Sequence, residues 1–176
     1  MLTYRLTMAD APQLARPTQL WKQLSSERKL QAADAFWRDE NAAGEQADAI
    51  ATIAQRLKFR IKSVVAMPQD KKARHLATMP SISELVAARL LVAYHLEAQR
   101  PMMGAFLDAL GIKHENGLIE DEEMGPPSAE KLQEAARTLA ASYPGPDVAL
   151  YLSTLVWQDP ETWGALAETP ESRLAS

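Results

Sequence analysis

Three observations predict that this chain folds as an all-α single domain. Glycine occurs seven times and not before Gly44, while Ala, Leu, Glu, Gln, Lys and Arg abound, side chains that lose little rotamer freedom in a helix. Apolar residues recur at the three-and-four spacing of helical faces. Prolines, and serines placed to accept an orphaned backbone N–H, punctuate those faces. The expected architecture is an irregular bundle of about seven to nine helices around a central apolar helix at residues 81–100. At 176 residues the chain can bury one sizeable core and is short for two, and it shows no repeat at solenoid periods.

The elements follow in order. Residues 1–17 hold Pro12 and Pro17 and little periodicity, which predicts an N-terminal arm before a helical domain at 18–169. Thr18 can cap a short turn with Leu20, Trp21 and Leu24. Ser25 or Ser26 starts a helix to about Asp39 with Leu30, Ala33 and Trp37 on one face. From about 42 to 66, Ile50, Ile53, Ala54, Leu57, Ile61, Val64 and Val65 keep one helical stripe and predict a single long helix. Pro68 opens a short helix to about Thr78.

Ser81 and Glu84 match the S-x-x-E capping box and predict the start of the apolar helix, whose Leu85 to Leu96 stretch is apolar all round. Pro101 kinks or restarts the chain, and Gly111 suits a left-handed cap after Met102, Phe106, Leu107 and Leu110. Asn116 and Gly117 make a turn, and Glu120 to Pro127 is the most loop-like stretch. Ser128 caps a helix to about Ser142. After the turn at 143–147 comes an apolar helix with Val148, Tyr151, Leu152 and Leu155. Asp159 and Pro160 begin a last short helix with Trp163 and Leu166, and the tail at 170–176 is expected to fray.

Composition narrows the function classes. With 47% hydrophobic and 24% charged residues the chain should fold. The absence of Cys removes disulfides, thiolate metal sites and cysteine nucleophiles, and fits a reducing compartment. No signal-like leader and no uncharged run long enough for a bilayer is present, so a cytoplasmic protein without a membrane partner is expected. There is no P-loop, G-x-G-x-x-G, G-x-S-x-G or HExxH motif, which favours a non-enzymatic protein with no cofactor.

Charge is distributed unevenly. From Arg56 to His75 seven basic residues (Arg56, Lys58, Arg60, Lys62, Lys71, Lys72, Arg74) face one acid, Asp70. From Asp108 to Glu134 eight acids face two lysines. At 100° per residue Phe59 falls opposite the apolar stripe and among the cations. An aromatic in a basic face suits an acidic protein partner, a second copy of the chain included, or stacking on a nucleic-acid base.

Two further groups can carry chemistry. The Asn116, Gly117 and Glu123 spacing matches the second half of an EF-hand loop, but Ile112 stands at its first ligand position and His114 at its third, both unsuited to calcium. An ordinary turn is the better reading. The apolar helix carries Arg89 on the stripe of Ile82, Leu85, Val86, Ala93 and Leu96, with Arg100 beyond it. His95 lies on its least apolar side, with Glu84, Ala88 and Gln99. If buried, Arg89 needs a partner, for which Asp108, Glu115 and Asp147 are candidates. A convergence of Arg89, His95, Arg100, Asp108, His114 and Glu115 would make a polar or metal-binding pocket, the enzymatic alternative. The leading expectation is a helical interaction protein that binds another protein through its charged faces. The four tryptophans, from the two ends of the chain, are expected to clamp the termini together.

Overall fold

The structure, a computed structural model, describes residues 15–121 and 123–174. Residues 1–14, most of the expected arm, lie outside the described residues. Among those described there are ten α-helices, one more than the upper expectation. Helix α1 (Pro17–Lys22) begins with a buried Pro17, the last residue of the expected arm. Proline suits this position because the first N–H of a helix has no intrahelical partner to lose. The Thr18 N–H and hydroxyl both donate to the Glu84 carboxylate. Helix α2 (Ser26–Arg38) is capped by Ser25, whose oxygen accepts from the Arg28 N–H at 3.2 Å, and it buries Ala32, Ala33 and Phe36.

The long helix expected from 42 to 66 is two helices. Helix α3 (Ala43–Leu57) stops where Lys58 turns left-handed at φ 57°, and the Phe59 N–H reaches back five residues to the Ala54 carbonyl at 2.9 Å. That bond satisfies a helix-end carbonyl in the manner of a glycine-type C-terminal cap, here on a lysine. The chain restarts as α4 (Ile61–Val65), rotated relative to the first stripe. Val64 stays buried, but Ile61 and Val65, expected in the core, are exposed. Pro68 then precedes α5 (Gln69–Ala77), which buries Ala73 and Leu76.

Helix α6 (Glu84–Ala98) starts later than the capping-box pattern predicts. Ser83 is the cap, its oxygen accepting from the Val86 N–H at 3.2 Å, and Glu84 is drawn to Thr18 instead of back to the cap. Two polar groups on a distant helix outcompete the local reciprocal bond. After Gln99 the chain continues as α7 (Arg100–Leu110) with Pro101 in its first turn and Gly111 left-handed at φ 70°, as the sequence predicts.

A small hairpin, β1 (His114–Glu115) and β2 (Leu118–Ile119), follows, its strands paired His114 to Ile119 and Glu115 to Leu118. Its two-residue turn holds Asn116 at φ 50° and Gly117 at φ 87°, the doubly left-handed geometry that matches strand twist. Gly117 also presses on α7: a Cβ there would lie 2.9 Å from the Met103 Cβ and 3.3 Å from the Arg100 carbonyl oxygen.

Helix α8 (Ala129–Ser142) is capped by Ser128, α9 (Gly145–Gln158) follows Pro144, and α10 (Pro160–Trp163) is capped by Asp159. The tail expected to fray from residue 170 forms a 3-10 turn at Pro170–Ser172. Ser172 is buried, its carbonyl accepts from the Ser153 hydroxyl on α9 at 3.1 Å, and Leu174 packs on the core. Residues 175 and 176 lie outside the described residues.

The core divides into two clusters. One joins Leu20, Trp21, Phe36, Ile53, Leu76, Leu90 and Tyr94 from α1 to α6 with Leu150 of α9; the other joins Met102, Phe106, Leu132, Leu139, Leu152 and Trp163 from α7 to α10. Helix α6 packs against α1, α2, α3, α7 and α9, but the buried residues fall into two groups and not one. Helix α6 buries Val86, Ala87, Leu90 and Leu91 in the first cluster, reaches the second through the half-buried Leu96 and the buried His95, and leaves Leu85 70% exposed. The tryptophans do not meet: Trp21 and Trp37 serve the first cluster, Trp163 serves the second, and Trp157 is exposed. Arg28 on α2 bonds Asp147 on α9 at 2.6 Å and ties the halves together. Among the described residues no helix is long and apolar enough to cross a membrane.

Candidate functional site

The basic segment forms a surface. Arg56 lies in the last turn of α3, Lys58, Phe59 and Arg60 make the connection, and Lys62 sits on α4; all five are exposed, Phe59 by 51%. The break at Lys58 adds two members that the periodicity hides, Ile61 at 58% and Val65 at 53% exposed, one turn apart on α4. The α5 cations contribute less. The Lys72 ammonium lies 5.0 Å from the Trp37 ring centre, and Arg74 pairs with Asp70 on its own helix at 3.1 Å, which leaves Lys71 exposed beside them.

The six polar residues expected to converge do not share one pocket. Arg89 donates to the Asn41 carbonyl and lies 3.7 Å from the Asp39 carboxylate, so it fastens the end of α2 to α6. Its expected partners Asp108, Glu115 and Asp147 are engaged elsewhere or distant; Asp147 belongs to Arg28. Arg100 donates to the Leu96 carbonyl at 2.8 Å and to the Asn116 carbonyl at 3.0 Å, holding the hairpin turn. His114 fixes the other side of that turn. Its Nδ1 accepts the Gly117 N–H at 3.1 Å, which leaves Nε2 as the donor to Asp108 at 2.7 Å. A Cβ on Gly104 would stand 3.1 Å from the His114 ring, so the ring lies flush against α7. Glu115 is exposed. The half-match to a calcium loop is thus a hairpin, and among the described residues no group of three or more His, Asp or Glu is placed to hold an ion.

His95 differs from the sequence expectation most. The helical wheel sets it on the least apolar side of α6, yet it is 3% exposed, packed against the rings of Tyr94 at 5.2 Å and Tyr151 at 5.4 Å. Helix α9 covers that side, which the sequence of α6 cannot reveal. The His95 Nδ1 lies 2.8 Å from the Leu91 carbonyl, an acceptor only, so Nδ1 carries the proton and Nε2 holds a lone pair. Nε2 is buried without a partner. Burial disfavours the charged ring and lowers its pKa to about 4, against the weaker pull of the Leu91 carbonyl and the Asp147 charge.

The ring lines a cleft of about 250 Å³ walled by α6, α7, α9, the hairpin and Trp163. Two of its polar groups are engaged: the Asp159 carboxylate accepts the Thr162 N–H and hydroxyl, which holds its pKa low, and the Thr154 hydroxyl donates to the Leu150 carbonyl at 2.7 Å; Gln158 and Tyr151 also line it.

These features define an all-α, single-domain helical protein whose described residues include an exposed basic and apolar face and an apolar cleft. No family model matches the chain, and neither the curated proteins nor the solved structures contain a significant match.

Proposed function

We propose that the protein is a non-enzymatic interaction module that docks on another protein through the face spanning Arg56 to Val65. The observation that carries this reading is the exposure of Phe59, Ile61 and Val65 amid Arg56, Lys58, Arg60 and Lys62. Large apolar side chains clustered on one short stretch of surface mark interaction sites more often than scattered single ones do. The cations select the partner: they favour a segment that sets Asp or Glu around apolar side chains and speed its encounter. Aliphatic side chains cannot stack on nucleobases, so Ile61 and Val65 favour a protein over a nucleic acid.

A photo-crosslinking amino acid at position 59, with the same label at the exposed Glu134 on α8 as control, tests the proposal in the producing cells. The expected result is a discrete adduct at 59, absent at 134 and lost on combining Ile61→Ser with Arg60→Glu. Identical adducts at both positions, or none at 59, would overturn it. A second copy as the partner would be recognised by the adduct mass and by concentration-dependent sedimentation.

A further inference from the structure

The cleft over His95 is independent of the docking face and carries its own chemistry. Its walls include Leu96, Leu107, Ile119, Leu155 and Trp163, all apolar or aromatic. Its floor holds a histidine fixed in one tautomer by its own helix, with Nε2 buried and unpartnered. Buried polar groups in folded proteins nearly always have a hydrogen-bond partner. No neighbouring polar group supplies one: the Thr154 hydroxyl donates to Leu150, the Asp159 carboxylate accepts from Thr162, and neither Gln158 nor the Tyr151 hydroxyl, which also line the cleft, bonds Nε2.

We propose that this cleft binds a small, uncharged, mostly apolar molecule with one O–H or N–H group, which donates to the His95 Nε2 lone pair while its rings or alkyl part fill the apolar walls. The chemistry excludes other classes. The Nε2 lone pair in the floor and the Asp159 carboxylate at the rim both disfavour carboxylates and phosphates, and the other polar side chains lining the cleft are Tyr151, Thr154 and Gln158. The volume of about 250 Å³ falls below the ~300–1,000 Å³ of pockets for drug-sized ligands, which points to a fragment-sized molecule such as a phenol or an indole. His95 acts here as a specificity element, because a site built around one hydrogen bond rejects the analogue that cannot make it.

The test uses the full chain, with 2-naphthol and naphthalene as matched probes and 2-naphthoate as the anionic control. By titration calorimetry 2-naphthol is expected to bind about tenfold more tightly than naphthalene, and 2-naphthoate more weakly than either. In wild-type protein the ¹⁵N resonance of the His95 Nε2 should move toward the hydrogen-bonded position on adding 2-naphthol and stay put with naphthalene. His95→Phe should equalise naphthol and naphthalene without abolishing either. Equal affinities in the wild type, or no binding of any probe up to its solubility, would overturn the proposal. So would an Nε2 resonance that is already hydrogen-bonded in the free protein and unmoved by naphthol, which would assign the lone pair to a resident water. The wild-type resonance decides the matter even if His95→Phe does not fold.

Discussion

The two halves of the core are packed on different principles. The first cluster brings α1 to α6 together over Ala32, Ala33, Ala42, Ala49, Ala54, Ala73, Ala87 and Ala93, small residues that let helix backbones approach closely. The second, from α7 to α10, buries only Ala135 and Ala136 and relies on Met102, Phe106, Tyr151, Leu152 and Trp163. Large rings meeting at angles, such as Phe106 against Tyr151 at 85° and against Trp163 at 51°, leave space beside them. The cleft over His95 opens on that side, whereas the exposed basic and apolar face from Arg56 to Val65 lies where α3 breaks. Small side chains let helices of the first half approach closely, while the large rings of the second stand beside the cleft.

The sharpest way to break this comparison is to remove one phenylalanine from each half. Phe36 and Phe106 are both fully buried. Phe36→Ala should cost about 4 kcal/mol and Phe106→Ala about 3 kcal/mol in urea unfolding, because rings beside a cleft can shift into the space while a close-packed site cannot collapse. Equal or reversed costs would remove the distinction.

His95 offers the next largest effect. Its folded pKa of about 4 lies below its ordinary value of 6.5, so between those limits the unfolded chain binds the proton more readily. Stability is then fully present above pH 6.5 and is lost as pH falls toward 4, by about 3 kcal/mol for this group. His95→Gln cannot titrate and should flatten the stability profile over that window. A variant profile as steep as the wild type would show that the proton goes elsewhere.

Gly117→Ala introduces a Cβ at a left-handed φ and against Met103, and should cost about 2 kcal/mol with faster amide exchange at Leu118 and Ile119. Exchange rates unchanged from wild type would refute the tight hairpin contact on α7. The smallest effect concerns the start of α6. Ser83→Ala should lose about 1 kcal/mol while Ser81→Ala changes little, measured by the same unfolding experiment. The opposite ranking would restore the capping box.

Much of the local structure was legible in the chain. The Ser25, Ser128 and Asp159 caps, the Gly111 terminator and the Asn116-Gly117 turn all act where their residue types place them, because each needs only backbone groups a few residues away. The misreadings have a common cause. Lys58 adopts a conformation that its side chain does not advertise, Glu84 leaves its capping box for Thr18, and the apparent polar side of α6 at His95 is roofed by α9. Of the candidate residues, the cations from Arg56 to Lys62 and the aromatic Phe59 were singled out by charge pattern and wheel position, and all are exposed. Ile61 and Val65 were hidden because their periodicity continues a helix that the structure ends. The six-residue polar pocket was a wheel-based grouping, and Arg89, Arg100 and His114 are each claimed by a different nearby carbonyl or carboxylate.

What the sequence determined by itself is therefore the all-α class, most helix ends and the charge asymmetry, since these follow from rotamer entropy, short-range hydrogen bonding and composition. Only the tertiary structure decided that the core is two clusters, that Ile61 and Val65 face water, and that His95 is buried with an unshared lone pair. Those outcomes depend on which helix covers which face, and that is settled by packing between residues far apart in the chain, not by any pattern within one segment.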